Sequence, residues 1–181
     1  MKLYLIRHGS IDKENPEKPL SERGIMQAKA VAEELKNYNF EKVYCSNLLR
    51  TKQTCEYYTK DYIEDKRLRE IQGTLNGKKF EPEYDSKERE EQDRKNADEI
   101  FDELIKNKGN IAVFCHGNVI VYYLNKVLKL NQNLWGSLII KHGSISILEY
   151  KDDKLQIKAI NLIDYLPNEI IEKVVYKSNK D

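Results

Sequence analysis

The chain has 181 residues, which fits a single domain that is long enough to bury a hydrophobic core. Its 31 lysines and arginines balance 30 aspartates and glutamates, so the near-neutral charge excludes the broad positive field of a nucleic-acid-binding protein. Any anion site is therefore expected to be local. The cysteines, Cys45, Cys55 and Cys115, have neither C-x-x-C nor metal-ligand spacing, which indicates reduced thiols in a cytosolic protein.

The apolar pattern also argues against a membrane protein. A strand-like run starts at residue 3, so we expect no signal peptide. No apolar stretch approaches the length that spans a bilayer. We therefore expect a soluble, cytoplasmic protein with no membrane partner.

In the first half of the chain, two strand-like runs are each followed by a helical pattern. Residues 3–6 form the first run, and apolar residues then recur three and four apart over 25–35, with Ser21 as the N-cap. Residues 43–45 form a short second strand. A second helix opens directly after it, with its apolar stripe over 48–58.

The second half of the chain continues the alternation. A helix is indicated by the apolar residues of 100–105, and the third buried strand covers 111–115. Residues 119–128 are apolar nearly all round, as expected of a helix packed on most sides. Residues 144–150 and 155–162 read as a hairpin or as adjacent strands near the sheet edge. The whole pattern favours an α/β fold with a largely parallel sheet.

A charged segment lies between the second and third strand-helix units. Residues 81–96 are mostly Glu, Asp, Lys and Arg, with almost nothing apolar. This composition favours a solvated helix with charge pairs, or a partly mobile loop, over a role in gripping substrate. Its position would also let it overhang a site as a short polar lid. We expect one domain over 1–181 with this lid-like insertion around 78–97.

Two histidines follow apolar strands in the same way. Arg7, His8 and Gly9 follow the first strand, and His116 with Gly117 follows the strand at 111–115. Ligands gather at the carboxyl ends of parallel strands, so both imidazoles are expected in one pocket. One such histidine is more often a packed side chain, but two His-Gly pairs, one preceded by Arg, favour a functional site.

Five ordered motifs carry a resemblance that covers nearly the whole chain. The sequence resembles the histidine phosphatase superfamily, in its phosphoglycerate-mutase-like branch. That resemblance implies a three-layer α/β sandwich with helices on both faces of the sheet, a pocket at the carboxyl edge and a phosphohistidine intermediate. The motifs are LIRHG at 5–9, PLSERG at 19–24, SNLLRTKQT at 46–54, LREI at 68–71 and CHG at 115–117.

The resemblance also implies roles for individual residues. His8 matches the nucleophile and Glu70 the proton donor, while His116 is both a catalytic and a phosphate-binding residue. A neutral imidazole is a competent nucleophile near pH 7, and a carboxylic acid beside the phosphorus can protonate the leaving alkoxide. Guanidinium groups grip phosphoryl oxygens through paired hydrogen bonds. The residues expected to bind phosphate are Arg7, Arg50, His116 and Gly117.

The sequence departs from the family pattern at two places near the expected site. The usual Thr and Asn three and six residues after the nucleophile are replaced by Ile11 and Glu14, and Asn15 could substitute only if the loop shifts. The stretch at 73–77 is one residue shorter than the family's Gly-aromatic-acid-Gly stretch. The substrate wall is therefore expected to differ.

Two further residues are interpreted as having no catalytic part. His142 precedes an edge-like strand instead of following a core strand, so we interpret it as a loop residue. Trp135 is interpreted as a packing residue. No cluster of His, Cys, Asp and Glu has metal-ligand spacing, so we expect no metal and no other cofactor.

These observations predict a metal-independent phosphomonoesterase of the histidine acid phosphatase type. The short insertion leaves little room to exclude water, which favours hydrolysis of the phosphohistidine. A small phosphorylated metabolite is the first expected substrate, and a phosphoprotein stays open. The alternatives are a phosphoglycerate-type mutase and a catalytically weak member of the family that binds phosphorylated ligands or partner proteins.

Overall fold

The computed structural model describes residues 1–71, 87–130 and 138–172. Among the helices of these ranges, none combines the length and the apolar character needed to cross a membrane. The strands are β1 (Lys2–Arg7), β2 (Lys42–Cys45), β3 (Ile63–Glu64), β4 (Ile111–Cys115), β5 (Ile145–Lys151) and β6 (Lys154–Leu162), and the helices are α1 (Glu22–Leu35), α2 (Leu49–Glu56), α3 (Lys87–Leu104) and α4 (Gly117–Leu128).

The six strands form one mixed sheet in the order β3-β2-β4-β1-β5-β6. The strands β3, β2, β4 and β1 are parallel, whereas β5 runs antiparallel to both β1 and β6. The predicted α/β fold with a mostly parallel sheet is therefore confirmed. The pairing of β1 with β4 in the centre of the sheet is what sets the two His-Gly pairs side by side.

Helices cover both faces of the sheet and give a three-layer sandwich. Alternate residues of β1 point to opposite faces, as the period of two in a strand requires. Leu3 and Leu5 pack with α3 and α4, while Tyr4 and Ile6 pack with α1 and α2. Both apolar clusters lie within the predicted single domain.

The start of α1 packs against the loop after β1 without any side chain between them. Ser21 is the N-cap, as predicted, and its side chain accepts a hydrogen bond from the Gly24 amide. A Cβ at Gly9 would lie 2.4 Å from the Gly24 carbonyl oxygen, and a Cβ at Gly24 would lie 1.9 Å from the Ser10 carbonyl oxygen. Only glycine permits this approach of two backbones.

The helix α2 starts later than predicted, because Ser46, the residue directly after β2, pairs with the neighbouring strand instead of opening the helix. Ser46 is fully buried, and its amide donates to the Phe114 carbonyl of the neighbouring strand β4. Leu48 is the N-cap instead, and the helix runs over Leu49–Glu56. The two-residue strand β3 was not predicted, because its exposed Ile63 and Glu64 carry no apolar run.

The charged insertion is partly described. From Lys87 onward it belongs to α3, whose later residues Ala97 and Ile100 are buried in the core. An ion pair between the half-buried Arg94 and Glu90, one turn apart, stabilises the charged part of this helix. Residues 78–86 of the expected lid, the 73–77 stretch and Trp135 lie outside the described residues.

Candidate active site

The carboxyl ends of β1 and β4 bring His8 and His116 together. The centroids of the two imidazole rings are 5.1 Å apart. Both side chains are buried, with His8 2% exposed and His116 completely enclosed. The His8 amide also donates to the Cys115 carbonyl, so backbone pairing between the two strand ends fixes their separation.

The hydrogen bonds of His8 define its tautomer. Its Nδ1 lies 2.7 Å from the Gly9 carbonyl oxygen, which can only accept, so Nδ1 carries the proton. Its Nε2 accepts a hydrogen bond of 3.1 Å from the Arg50 Nε. Burial, followed by the fields of His116 and neighbouring cations, lowers the pKa of His8 well below its usual range. The ring is therefore neutral near pH 7, with a lone pair on Nε2.

His116 is held from the opposite side of its ring. Its Nε2 lies 2.9 Å from the Ser46 hydroxyl and 3.2 Å from the Thr51 hydroxyl. Its buried Nδ1 has no hydrogen-bond partner among the residues described, and the Glu70 Oε2 is 3.9 Å away. Burial, followed by the field of Arg50, lowers the pKa of His116 well below its usual range. The Nδ1 is thus the atom of His116 that an incoming oxygen can engage.

The Arg7 guanidinium is anchored along one edge. Its Nη1 donates to the Ile140 carbonyl, and its Nη2 lies 2.8 Å from the His142 Nε2. Its Nε is buried without a partner in the described part of the chain. Beside that atom lies Gly117, where a Cβ would come within 3.3 Å of the Nε. Burial lowers the pKa of Arg7, against the opposing fields of Glu70 and Glu172.

Arg50 approaches His8 from the first turn of α2. The Thr54 hydroxyl one turn later donates to the Arg50 carbonyl and accepts from the Gly9 amide, which ties this turn to the loop that holds His8. Burial lowers the pKa of Arg50 and the carboxylate of Glu70 raises it. A desolvated guanidinium in this position gains from the arrival of an anion.

Glu70 lies at the rim of the site, with 27% of its side chain exposed. The Asn118 amide, in the first turn of α4, donates to its Oε1 at 2.9 Å, while the Asn118 side chain donates to the Ile71 carbonyl. Burial raises the pKa of Glu70, although Arg7 and the Asn118 hydrogen bond oppose that shift. A carboxyl group with a raised pKa is suited to deliver a proton near neutral pH.

Sequence reasoning missed one residue of this pocket. His142, in the loop before β5, is 14% exposed at its side chain, and its ring centroid is 5.2 Å from that of His8. The loop reaches the pocket because the Gly143 amide donates to the Arg7 and His8 carbonyls at the end of β1. Asn15, in contrast, is exposed, and its side chain accepts from the Glu17 amide within its own loop.

Within the part of the chain that the structure describes, three side chains of the pocket could together ligate a metal ion. His8, Glu70 and His116 each offer one potential ligand atom, and these three atoms lie within 4.8 Å of one another. However, Arg50 already donates to the His8 Nε2, and the fields of Arg7 and Arg50 both act on the two imidazoles. Because these two guanidinium cations lie close to the imidazoles, the pocket favours an anion over a metal cation.

Solved structures with the same fold include two phosphatases and one mutase. A phosphoserine phosphatase variant from Entamoeba histolytica, in complex with phosphoserine, has a TM-score of 0.73 at 21% identity, covering 92% of this chain and 99% of that chain. The alpha-ribazole phosphatase from Shigella flexneri has a TM-score of 0.73 at 19% identity, covering 90% and 96%. A phosphoglycerate mutase from Bacillus anthracis has a TM-score of 0.69 at 18% identity, covering 91% and 94%. These similarities confirm the predicted phosphoglycerate-mutase-like fold.

The family comparison covers nearly all of the chain. A search of curated protein sequences finds no match. The model of the histidine phosphatase superfamily (branch 1) matches residues 3–163, a range that contains all five sequence motifs. The chain therefore belongs to branch 1 of the histidine phosphatase superfamily, as its motifs predict.

Proposed function

We propose that this protein is a phosphomonoesterase that hydrolyses its substrate through a phosphohistidine on His8. The observation that carries the proposal is the state of the His8 ring, which is neutral, protonated on Nδ1 and bears its lone pair on Nε2 beside Arg50. A nucleophilic nitrogen requires this tautomer. The neighbouring Arg7, Arg50 and His116 offer donors to the oxygens of a phosphoryl group.

In the first half of the proposed reaction, the His8 Nε2 attacks phosphorus while the ester P–O bond breaks. Arg50 turns its Nε–H from His8 to a phosphoryl oxygen, which frees the lone pair for attack. Glu70, whose pKa is raised by burial, gives its proton to the departing alkoxide, and the alcohol leaves.

In the second half, the same carboxylate acts as a base. Glu70 takes a proton from water, whose oxygen attacks the phosphorus as the P–N bond breaks. Phosphate leaves, the lone pair returns to the His8 Nε2, and Glu70 is protonated again for the next substrate. One partly exposed carboxyl group with access to solvent suffices for both proton transfers.

We propose a small phosphorylated metabolite as the substrate and no metal cofactor. The phosphoserine phosphatase and the alpha-ribazole phosphatase with this fold are named for small phosphorylated molecules, which supports that class. The positive charge of Arg7 and Arg50 supports metal independence, because the two guanidinium groups already neutralise phosphoryl charge. The buried free thiols of the three cysteines are compatible with a cytoplasmic enzyme.

The test is hydrolysis of p-nitrophenyl phosphate and of a panel of phosphorylated metabolites, with and without a chelator. We expect phosphate release at a rate that the chelator does not change. We also expect a phosphorylated enzyme intermediate that loses its phosphoryl group in acid but keeps it in base. Phosphoryl transfer back to a sugar acid would identify a mutase instead. Release only from phosphopeptides would identify a protein substrate, and binding without any turnover would identify a phospholigand-binding protein.

A further inference from the structure

The loop before β5 places a third histidine, His142, against the charged groups of the pocket, and the proposed reaction gives this histidine no task. The His142 Nε2 lies 2.8 Å from the Arg7 Nη2, and its Nδ1 lies 2.7 Å from the Glu172 Oε2. Its ring stands between a cation on β1 and a carboxylate that follows the last described helical turn. Both ring nitrogens are therefore used.

The two partners of His142 determine where its proton resides. A carboxylate can only accept and a guanidinium can only donate, so Nδ1 carries the proton and Nε2 offers a lone pair to Arg7. The charged and titratable groups that act on the ring are Arg7, His8, Lys13 and Glu172. Burial is the first cause that lowers the pKa of His142, although Glu172 opposes it, and the ring is neutral near pH 7.

Glu172 is itself held in place. Its Oε1 accepts a hydrogen bond from the Ser10 hydroxyl, two residues after His8. The Gln27 side chain joins the same two segments, because its Oε1 accepts from the Ser10 amide and its Nε2 donates to the Ile170 carbonyl. The hydrogen bond with His142 lowers the pKa of Glu172 to about 2, so the carboxylate stays charged.

The contact with His142 limits how the Arg7 guanidinium can turn. Ile140 and His142 accept from its two terminal nitrogens, while the Nε stays without a partner among the described residues. Each terminal nitrogen keeps a second N–H, so the Nε edge can still offer two parallel donors to one anion. Loss of the lone pair on His142 would release that orientation.

We propose that His142, oriented by Glu172, is a positioning residue that holds the Arg7 guanidinium with its Nε edge toward the substrate phosphate. The inference rests on the proposed function in taking a phosphate group as the anion. His142 acts through Arg7 and needs no contact with the reacting atoms. The role depends on a hydrogen-bond acceptor at the position of its Nε2, and not on a titrating imidazole.

The test compares His142→Ala with His142→Gln. Glutamine keeps an oxygen that can accept from Arg7 and an amide that can donate to Glu172, whereas alanine keeps neither. We expect His142→Ala to raise the dissociation constant of inorganic phosphate and the KM for p-nitrophenyl phosphate about tenfold, as for one lost hydrogen bond to a charged group. Its kcat should fall less, and His142→Gln should stay within about threefold of the unmodified protein in both constants.

A second pair of variants tests the carboxylate. Glu172→Ala should also weaken phosphate binding, because a free His142 can move its proton to Nε2 and then faces Arg7 donor to donor. Glu169→Ala, at an exposed position of the same segment, is the matched control and should bind phosphate normally. Thermal melting of each variant establishes that it is folded.

The outcomes separate this inference from the proposed function. Equal losses in His142→Ala and His142→Gln, or unchanged phosphate binding in both, would overturn the positioning role while leaving the phosphatase proposal intact. An unmodified protein that binds phosphate but cleaves no ester would refute the phosphatase proposal, and phosphate titrations would still test His142. A protein that neither binds phosphate nor cleaves esters would overturn both.

Discussion

The ends of β1 and β4 present the same short sequence, a His-Gly pair after an apolar strand, in two different surroundings. His8 donates a hydrogen bond from its Nδ1 to the carbonyl of the adjacent Gly9, and its Nε2 accepts one from Arg50. His116 does the reverse, with Nε2 between two hydroxyls and an Nδ1 that has no hydrogen-bond partner in the described ranges and lies beside Glu70. The shared His-Gly sequence therefore places an imidazole at each strand end, and the contacts of each ring, with the adjacent Gly9 at His8 and with distant hydroxyls at His116, determine which nitrogen faces the pocket.

The largest expected difference between the two strand ends is in activity, when each histidine is replaced by asparagine. His8→Asn removes the proposed nucleophile, so we expect turnover of p-nitrophenyl phosphate to fall by about 10⁴-fold or more and the phosphoenzyme to vanish. His116→Asn removes one donor to the phosphoryl group, so we expect a loss of about 10²–10³-fold with a phosphoenzyme that still forms. Labelling that is quenched and separated in base, where a phosphohistidine survives, measures the phosphoenzyme of both variants. A phosphoenzyme at unmodified levels in His8→Asn would assign the nucleophile elsewhere.

Arg50 tests the surroundings of His8 at the end of β1, because its Nε–H donates to the His8 lone pair. Arg50→Ala should lower kcat/KM by about a hundredfold or more, since one positioned cationic donor to the transferring oxygens is lost. The matched control is Arg23→Ala, an exposed arginine on α1. Steady-state kinetics of the two variants, with melting curves, check the expectation. Equal kinetics for both would remove Arg50 from the site.

Glu70 tests the surroundings of His116 at the end of β4, because its carboxyl group lies 3.9 Å from the His116 Nδ1. Glu70→Gln keeps an oxygen for the Asn118 amide but cannot deliver a proton. We expect a loss of about a hundredfold on alkyl phosphates, which need a protonated leaving group, and only a few-fold loss on nitrophenyl esters. Glu22→Gln, at an exposed position of α1, is the control. Equal losses on both esters would contradict the proton-donor role.

The smallest expected effect is on stability, where both histidines act in the same direction. Burial lowers the pKa of His8 and of His116, whereas in the unfolded chain each takes up a proton near pH 6.5. Their contribution to the free energy of unfolding is therefore complete above about pH 6.5 and falls as the pH drops toward the lowered pKa values, by up to about 1.4 kcal/mol per histidine per pH unit.

Melting temperatures between pH 7.5 and pH 5 measure this loss. The double variant His8→Asn, His116→Asn should show a shallower decline than the unmodified protein, because asparagine does not titrate. A decline of the same steepness in both proteins would mean that other groups dominate the acid sensitivity.

Much of the fold was predictable because its signals are local. The apolar runs that became β1 and β4 end at a histidine, and the Ser21 N-cap marks the start of α1. The short β3 was not predictable, because its two exposed residues carry no apolar run and join the sheet by pairing with β2. For the charged part of α3, the composition left both a solvated helix and a loop open, and the described residues from Lys87 onward form the helix, whose later turns are buried.

The site divides in the same way. Family motifs pointed to His8, Arg50 and His116, and the structure brings these side chains into one pocket, although their roles stay predictions. His142 could not be assigned from its own surroundings in the chain. It reaches Arg7 only because β5 pairs with β1, and Glu172 reaches His142 from thirty residues later.

The glycine contact between the β1 loop and α1 has a consequence for motion during the proposed reaction. Gly9 and Gly24 bring two backbones into direct contact, so the segment that carries His8 cannot move closer to α1. In the proposed reaction, this contact would hold the backbone next to His8 in place while the P–N bond forms. We therefore expect the phosphoryl group to make the larger movement, from the leaving oxygen to the His8 nitrogen and then from that nitrogen to water.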